Sequence, residues 1–285
     1  VGWRDVVNQV TVGGVPADGG DMTPSVTDLG PGARRRPRTA ACFGGGGAFG
    51  IAFNLGVARA LQDHGIPVEQ GPMIGTSAGS WTAAALATGL TLEDLTPTWS
   101  RPSPDGRRRV IDSSEEVWGD ARDPRVTGVA LQVPLGRRRL LSGGRHRIAD
   151  VVAASSSLPG FAASHVIDGR RYVDGGLMSH ASADRAPRAD LLIAVVPMAG
   201  TLLGAVGAFG DRFTRLEMAR WCLRNGRRAL YVHPDRRFAP YLRRLGDIMA
   251  VGQVEDIHAR AYELGAERLE LFRAREDDRH AYQAA

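Results

Sequence analysis

The chain has 285 residues, 43% hydrophobic and 24% charged, a size and balance that allow one large α/β domain or two modest ones with a full core. All 36 basic residues are arginine, which excludes a Ser-Lys pair, a Schiff-base lysine, a pyridoxal phosphate anchor and a P-loop lysine. Two distant cysteines, Cys42 and Cys222, define neither a disulfide framework nor a zinc spacing, and the net charge of +5 favours anionic surfaces, phospholipid or nucleic acid.

The sequence starts at Val1 rather than methionine, so the expectation is that its true N-terminus is missing. No signal peptide is visible. Residues 1–37, rich in Gly, Pro, Asp and Ser, read as a poorly packed arm with one short strand at "NQVTVGG"; the Arg34–Arg36 run reads as a solvated linker or a contact for an acidic partner. From Arg38 the pattern changes. "RTAACFGG" is a buried strand ending in glycines. A helix follows, with Ile51, Leu55, Ala58 and Leu61 on one face and Gly65 as its stop. "PMIG" is a second strand and "AGSWTAAALATGL" a second helix, so the sheet is expected to be parallel.

Residues 91–147 are less regular, with a hairpin turning near Gly136. A helix broken at Pro159 comes next, then a hairpin over "SHVIDGRRYVDGG". Residues 191–210 carry no charge for twenty positions; Pro197 and the glycines divide them into a buried strand and an apolar 199–210 loop, expected to line a greasy pocket or touch a membrane surface rather than to span one. The tail reads as a helix ("TRLEMARWCLRNG"), a strand ("RALYVHP") and two further helices.

Three glycine-rich signals carry the chemistry. "GGGGAFG" closes the first strand and opens the first helix, and its Gly45-x-Gly47-x-x-Gly50 matches the dinucleotide fingerprint, with Glu69 nineteen positions beyond Gly50. A dinucleotide site needs its second strand to end in that acid, whereas here the strand comes after it. The same glycines offer free N–H groups to any anion, an oxyanion included. Gly75-Thr76-Ser77-Ala78-Gly79 is a Gly-x-Ser-x-Gly nucleophile elbow placed between strand and helix, where a sharp turn pushes Ser77 into the open. Asp174-Gly175-Gly176 ends the "RRYV" strand, as a plain turn or as the carrier of a base.

In that order these motifs resemble the patatin-like phospholipases, lipid acyl hydrolases with a Ser-Asp dyad, and "ASSSLPGFAASHVIDGRRYVDGG" is similar to the family's run into its aspartate. The likeness covers roughly residues 39–198. It implies a three-layer α/β/α patatin-like fold with a mainly parallel central sheet. The expected division is the arm at 1–37, the patatin-like catalytic domain at 38–198, and a C-terminal helical segment at 199–285 whose one strand completes the same domain. Carried over by match, Ser77 is the nucleophile and Asp174 the proton acceptor. Gly45, Gly46 and Gly47, assisted by Ala78, form the oxyanion hole, and Gly50, Gly75, Gly79, Gly175 and Gly176 complete the motifs. No metal or organic cofactor is implied. One departure is Phe49, where the family usually has Arg or Lys.

The resemblance implies a lipid or ester substrate and leaves hydrolysis and acyl transfer both open. Ser77, Asp174 and His180 or His233 would also satisfy the chain order of a Ser-acid-His triad. A nucleotide-binding or membrane-docking module built on the Gly45–Gly50 loop is the non-enzymatic alternative. Basic runs at Arg107–Arg109 and Arg137–Arg139 read as solvated turns or as a rim for anionic lipid. No nucleic-acid motif is present, and nucleic acid is not an expected partner. The compartment is open, with a cytoplasmic or peripheral membrane location favoured.

Overall fold

The computed structural model describes residues 38–100, 105–225 and 228–284. The expected arm at 1–37, its strand and the Arg34–Arg36 run therefore lie outside the described residues. The chain folds as a mixed α/β structure around one sheet of eight strands: β1 (Thr39–Phe43), β2 (Met73–Thr76), β3 (Val126–Val133), β4 (Arg137–Ser142), β5 (His165–Ile167), β6 (Arg170–Asp174), β7 (Leu191–Val195) and β8 (Arg228–Val232). The order is β5-β6-β3-β2-β1-β7-β8, with β4 also paired to β3. Strands β3, β2, β1, β7 and β8 run parallel, and β4, β5 and β6 are antiparallel additions. The central strands β1 and β7 are buried at every position, as apolar runs enclosed by helices should be.

The first crossover helix, α1 (Gly47–Asp63), is buried over most of its surface rather than along the single expected stripe. Its second cover is the long C-terminal helix α7 (Val254–Ala284), which turns Val254, Ile257, Ala261 and Leu264 inward at three- and four-residue spacing. The two helices come close at Gly56, where a methyl would sit 2.3 Å from the His258 carbonyl oxygen. The expected pair of tail helices is thus one long helix preceded by short 3-10 turns at Arg236–Phe238 and Leu245–Met249.

Four more helices complete the layers: α2 (Ala78–Thr88), α3 (Leu92–Ser100), α4 (Arg109–Trp118) and α5 (Ile148–Ser156), with α6 (Gly204–Asn225) on the far side of the sheet, its Met218, Trp221 and Cys222 packed with Cys42 and Leu192. Helices α3 and α4 occupy what reads in sequence as irregular chain. Pro97 inside α3 and the glycine and arginines before α4 hide the period there. The uncharged 191–210 stretch is split as expected, but its second part is corrected: residues from Gly204 on are helical, because Gly207 and Gly210 face inward and let α6 start early. Among the described residues no helix is long and apolar enough to cross a membrane.

One feature of the sheet places the site. Strand β3 pairs along one edge with β4 over residues 127–132, so β2, opposite 126–129, and β6, opposite 130–133, share its other edge. Strand β2 runs parallel to β3 and β6 antiparallel, and they meet end to end: Thr76 is level with Val129, and Asp174 with Ala130. The residue after Thr76 is Ser77. Nearly one hundred residues of chain separate two side chains that the sheet brings together.

Candidate active site

Ser77 joins β2 to α2 with φ 52 and ψ −119, a left-handed conformation that side chains other than glycine rarely adopt and that costs about 1–3 kcal/mol. Its flanking glycines make the bend possible. A methyl on Gly79 would sit 1.8 Å from the Phe43 carbonyl oxygen, and one on Gly75 would sit 2.2 Å from the Gly79 carbonyl oxygen. Both backbones run where a side chain would otherwise be. The Ser77 carbonyl accepts hydrogen bonds from the Ser80 hydroxyl at 2.7 Å and the Ser80 N–H at 2.8 Å. Its N–H donates to the Ser155 hydroxyl oxygen at 3.0 Å.

Asp174 closes β6 and is 4% exposed. One carboxylate oxygen accepts the Gly176 N–H at 2.7 Å, the Ser77 hydroxyl is near enough to pull the carboxyl's pKa down, and its neighbour Gly175 lies on the Val129 backbone. Burial raises the carboxyl to about 6, against the downward pull of the Ser77 and Gly176 hydrogen bonds. A carboxylate so placed is ionised at neutral pH yet basic enough to take a proton.

The glycine loop completes the arrangement. A methyl on Gly45 would lie 3.3 Å from Ser77 Cβ, and one on Gly50 would lie 3.0 Å from Ala78 Cβ. Gly46 and Gly47 take positive φ values of 144 and 58 as the chain turns into α1. The first hydrogen bond of that turn runs from Gly50 N–H to Gly46 O. Helices α1 and α2 therefore both begin beside Ser77, and the N–H groups of a helix's first turn have no acceptor within the helix. All the residues expected at the site, namely Ser77, Asp174, Gly45, Gly46, Gly47, Gly50, Gly75, Ala78, Gly79, Gly175 and Gly176, fall in this one neighbourhood.

Other expectations are redirected. Phe49 points away from the site: it is fully buried, stacks on Phe53 at 5.9 Å and meets Phe238 edge-on at 6.1 Å. Arg138 is corrected from rim to interior. Alternation along β4 turns it inward, where it meets Asp184 at 2.6 Å and Glu217 at 3.2 Å. Glu217 also accepts from the Ser179 hydroxyl and the Ala183 N–H, tying the segment beyond Asp174 to α6. Glu69 lies in the turn before β2, at the opposite end of the sheet from the glycine loop, and accepts a hydrogen bond from Gln62. Among the described residues no group of three or more His, Cys, Asp or Glu side chains is placed to hold a metal ion.

Neither candidate triad histidine bonds the acid. His180 Nδ1 is buried without a hydrogen-bond partner among the described residues and lies against Gly210 of α6, while His233 Nδ1 faces the Pro234 carbonyl at 3.1 Å. Burial lowers the pKa of both. His180→Ala is accordingly expected to keep turnover within about tenfold of the unaltered protein, well short of the about 10²–10⁴-fold that a general base supplies. A loss matching that of Asp174→Ala in steady-state ester hydrolysis would restore the triad.

The site also contains residues that motif reading passes over. Asn54 is fully buried in α1 and donates to the Gly44 carbonyl at 3.0 Å, holding the start of the glycine loop. Its signal is an amide on the apolar helix face. Ser155 in the tip of α5 and Ser157 just beyond it follow, flagged only as a serine run closing an Ala-Val helix.

A family model described as patatin-like phospholipase matches residues 41–111 and 143–186, two blocks that hold the glycine loop, Ser77 and Asp174. The chain belongs to the patatin-like phospholipase family. Uncharacterized NTE family proteins of Mycobacterium bovis and Mycobacterium tuberculosis are 29% identical to this patatin-like chain over 180 residues, covering 56% of it and 49% of each relative. The chain thus spans about half the length of the curated relatives it matches. Among solved structures, VipD from Legionella pneumophila aligns with a TM-score of 0.44 and 13% identity, covering 84% of this chain and 67% of VipD.

Proposed function

We propose that the protein is a serine lipid acyl hydrolase that cleaves carboxylic esters through an acyl-enzyme on Ser77, with Asp174 as base. The observation that carries this reading is the meeting of a strained, half-exposed Ser77 and a buried Asp174 at the end-to-end junction of β2 and β6 on β3. Family membership supports lipid hydrolysis in general. Exposed apolar side chains beside the site favour an acyl-chain substrate: Leu177 and Met178 directly follow the Asp-Gly-Gly turn, and the Met249 sulfur lies against Gly47.

In the first step Asp174 takes the Ser77 proton as Oγ bonds the ester carbon, and the N–H groups of Gly45, Gly46, Gly47 and Ala78 hold the resulting O⁻. Collapse expels the alcohol, which carries away the proton from Asp174. Water then attacks the acyl-enzyme, gives its proton to Asp174, and the proton returns to Ser77 as the acid leaves. Each donor to the O⁻ is worth roughly 3 kcal/mol in the transition state. An alcohol in place of water would make the same intermediate an acyl donor.

The test is hydrolysis of p-nitrophenyl esters of graded chain length, with a fluorophosphonate as active-site label. Turnover rising with chain length and a covalent adduct on the Ser77 peptide are expected. No turnover and no adduct on folded protein would end the proposal.

A further inference from the structure

We propose that Ser155 is a positioning residue that fixes the nucleophile relative to the base, acting from the tip of α5 together with the Ser157 carbonyl. The inference rests on the reading of Ser77 and Asp174 given above. Strands β2 and β6 meet end to end along β3 and are not paired with each other, so the residues at their ends are joined by no ladder of their own and only through β3. The tip of α5 spans the junction. Ser155 Oγ accepts the Ser77 N–H at 3.0 Å and donates its own proton to the Val129 carbonyl at 2.7 Å. Two residues on, the Ser157 carbonyl accepts the Asp174 N–H at 3.0 Å. One short piece of chain thus holds the backbone of both residues, and its Ser155 hydroxyl ties the Ser77 amide to Val129, the β3 residue level with Thr76.

A buried serine near the end of a helix commonly spends its hydroxyl on the carbonyl four residues back. Ser157 does this, bonding Ala153 at 2.8 Å. Ser155, equally buried, turns instead to a strand carbonyl and an elbow amide. A hydroxyl has one proton and two lone pairs, and both functions are used here. Without it the half-buried Ser77 N–H would lose its acceptor, next to a left-handed backbone that costs free energy to maintain. The elbow would relax and its hydroxyl would drift from Asp174.

The experiment compares Ser155→Ala with Ser156→Ala in the full chain. Ser156 is a mostly buried neighbour on the same helix tip, and its hydroxyl oxygen accepts the Trp81 indole N–H at 3.2 Å without touching Ser77 or Asp174. Ser155→Ala is expected to lower kcat for a p-nitrophenyl ester by about 10- to 100-fold, the usual effect of a misplaced reacting group, with KM changed by less than about twofold. Ser156→Ala is expected to leave kcat within about twofold.

A pH profile separates positioning from general loosening. The causes that set the Asp174 carboxyl are burial, the Ser77 hydroxyl and the Gly176 N–H, with no charged side chain among them. Losing the Ser77 bond should therefore move the acid midpoint of kcat/KM upward in Ser155→Ala, and leave it in place in Ser156→Ala. Should Ser155→Ala not fold, Ser155→Thr and Ser155→Val differ from each other only by the hydroxyl, and only the threonine should retain kcat and midpoint. The proposal is overturned if Ser155→Ala keeps kcat within twofold, if Ser156→Ala matches its loss, or if threonine and valine behave alike. Turnover surviving in Ser77→Ala would instead remove the underlying reading of the site.

Discussion

Asp174→Asn is expected to lower ester turnover by about 10²–10⁴-fold, the contribution of a general base, while the protein remains folded. Asparagine keeps the shape and can still accept the Gly176 N–H, but it cannot take the Ser77 proton. In the unaltered protein the same group should govern the acid side of the pH profile. Asp174 must be ionised to act, and burial sets it at about 6, so kcat/KM should fall roughly tenfold per pH unit below that midpoint. Stability should run the other way. An aspartate whose folded pKa lies above its usual 3.8 stabilises the fold most when protonated, and that advantage is lost as pH rises from about 4 to 6. Asp174→Asn, spared the ionisation of a buried group, should melt no lower than the unaltered protein at pH 8. Thermal melts and initial rates across pH 4–9 measure both; a flat rate profile through pH 6, or full activity in the asparagine variant, would refute the assignment of the base.

Gly79→Ala is expected to destroy the fold around the elbow rather than only its chemistry. Its methyl would have to occupy a point 1.8 Å from the Phe43 carbonyl oxygen, and the obstacle is backbone of the central strand β1, not the end of a flexible side chain. Relief requires α2 to move off the sheet, opening the packing of Trp81, Ala83 and Ala84. Overpacking in a core costs typically about 1–3 kcal/mol and more where backbone must shift, so a loss of about 3 kcal/mol or more is expected, read by denaturant melts. Gly65→Ala makes the contrast: nothing lies within 4 Å of the added methyl, and only the positive φ of 83 is strained. If Gly79→Ala melted as Gly65→Ala does, the close approach of α2 to β1 would be wrong.

Much of the fold was legible because the parallel core obeys simple period rules. The runs at 39–43 and 73–76 are apolar and short, and each is followed by glycine and a helix. The hairpin over 165–174 was legible from its central Asp-Gly turn. What escaped had physical causes. Helix α1 reads as one-sided because the strip that α7 covers is built from Val57, Ala60 and Gly56, small residues that carry little periodic signal. The middle arginine of Arg137–Arg139 looks solvated in a run of three, yet strand alternation sends it inward to Asp184 and Glu217. The residues proposed to react could be named because a sharp elbow and a tight turn restrict residue types. Their support could not, because Ser155 and Asn54 act through backbone partners that leave no mark on the sequence around them.

The end-to-end meeting of β2 and β6 puts the proposed nucleophile and base on different strands that share one neighbour, β3. In the proposed reaction the attacking oxygen rides on the parallel part of the sheet and the proton acceptor on an antiparallel addition to it, while the chain beyond that acid is tied through Ser179 and Ala183 to Glu217 of α6. Displacing β6 would throttle the proposed catalysis while leaving the Ser77 hydroxyl intact and half-exposed, so protein that is present and protein that is competent can differ in amount.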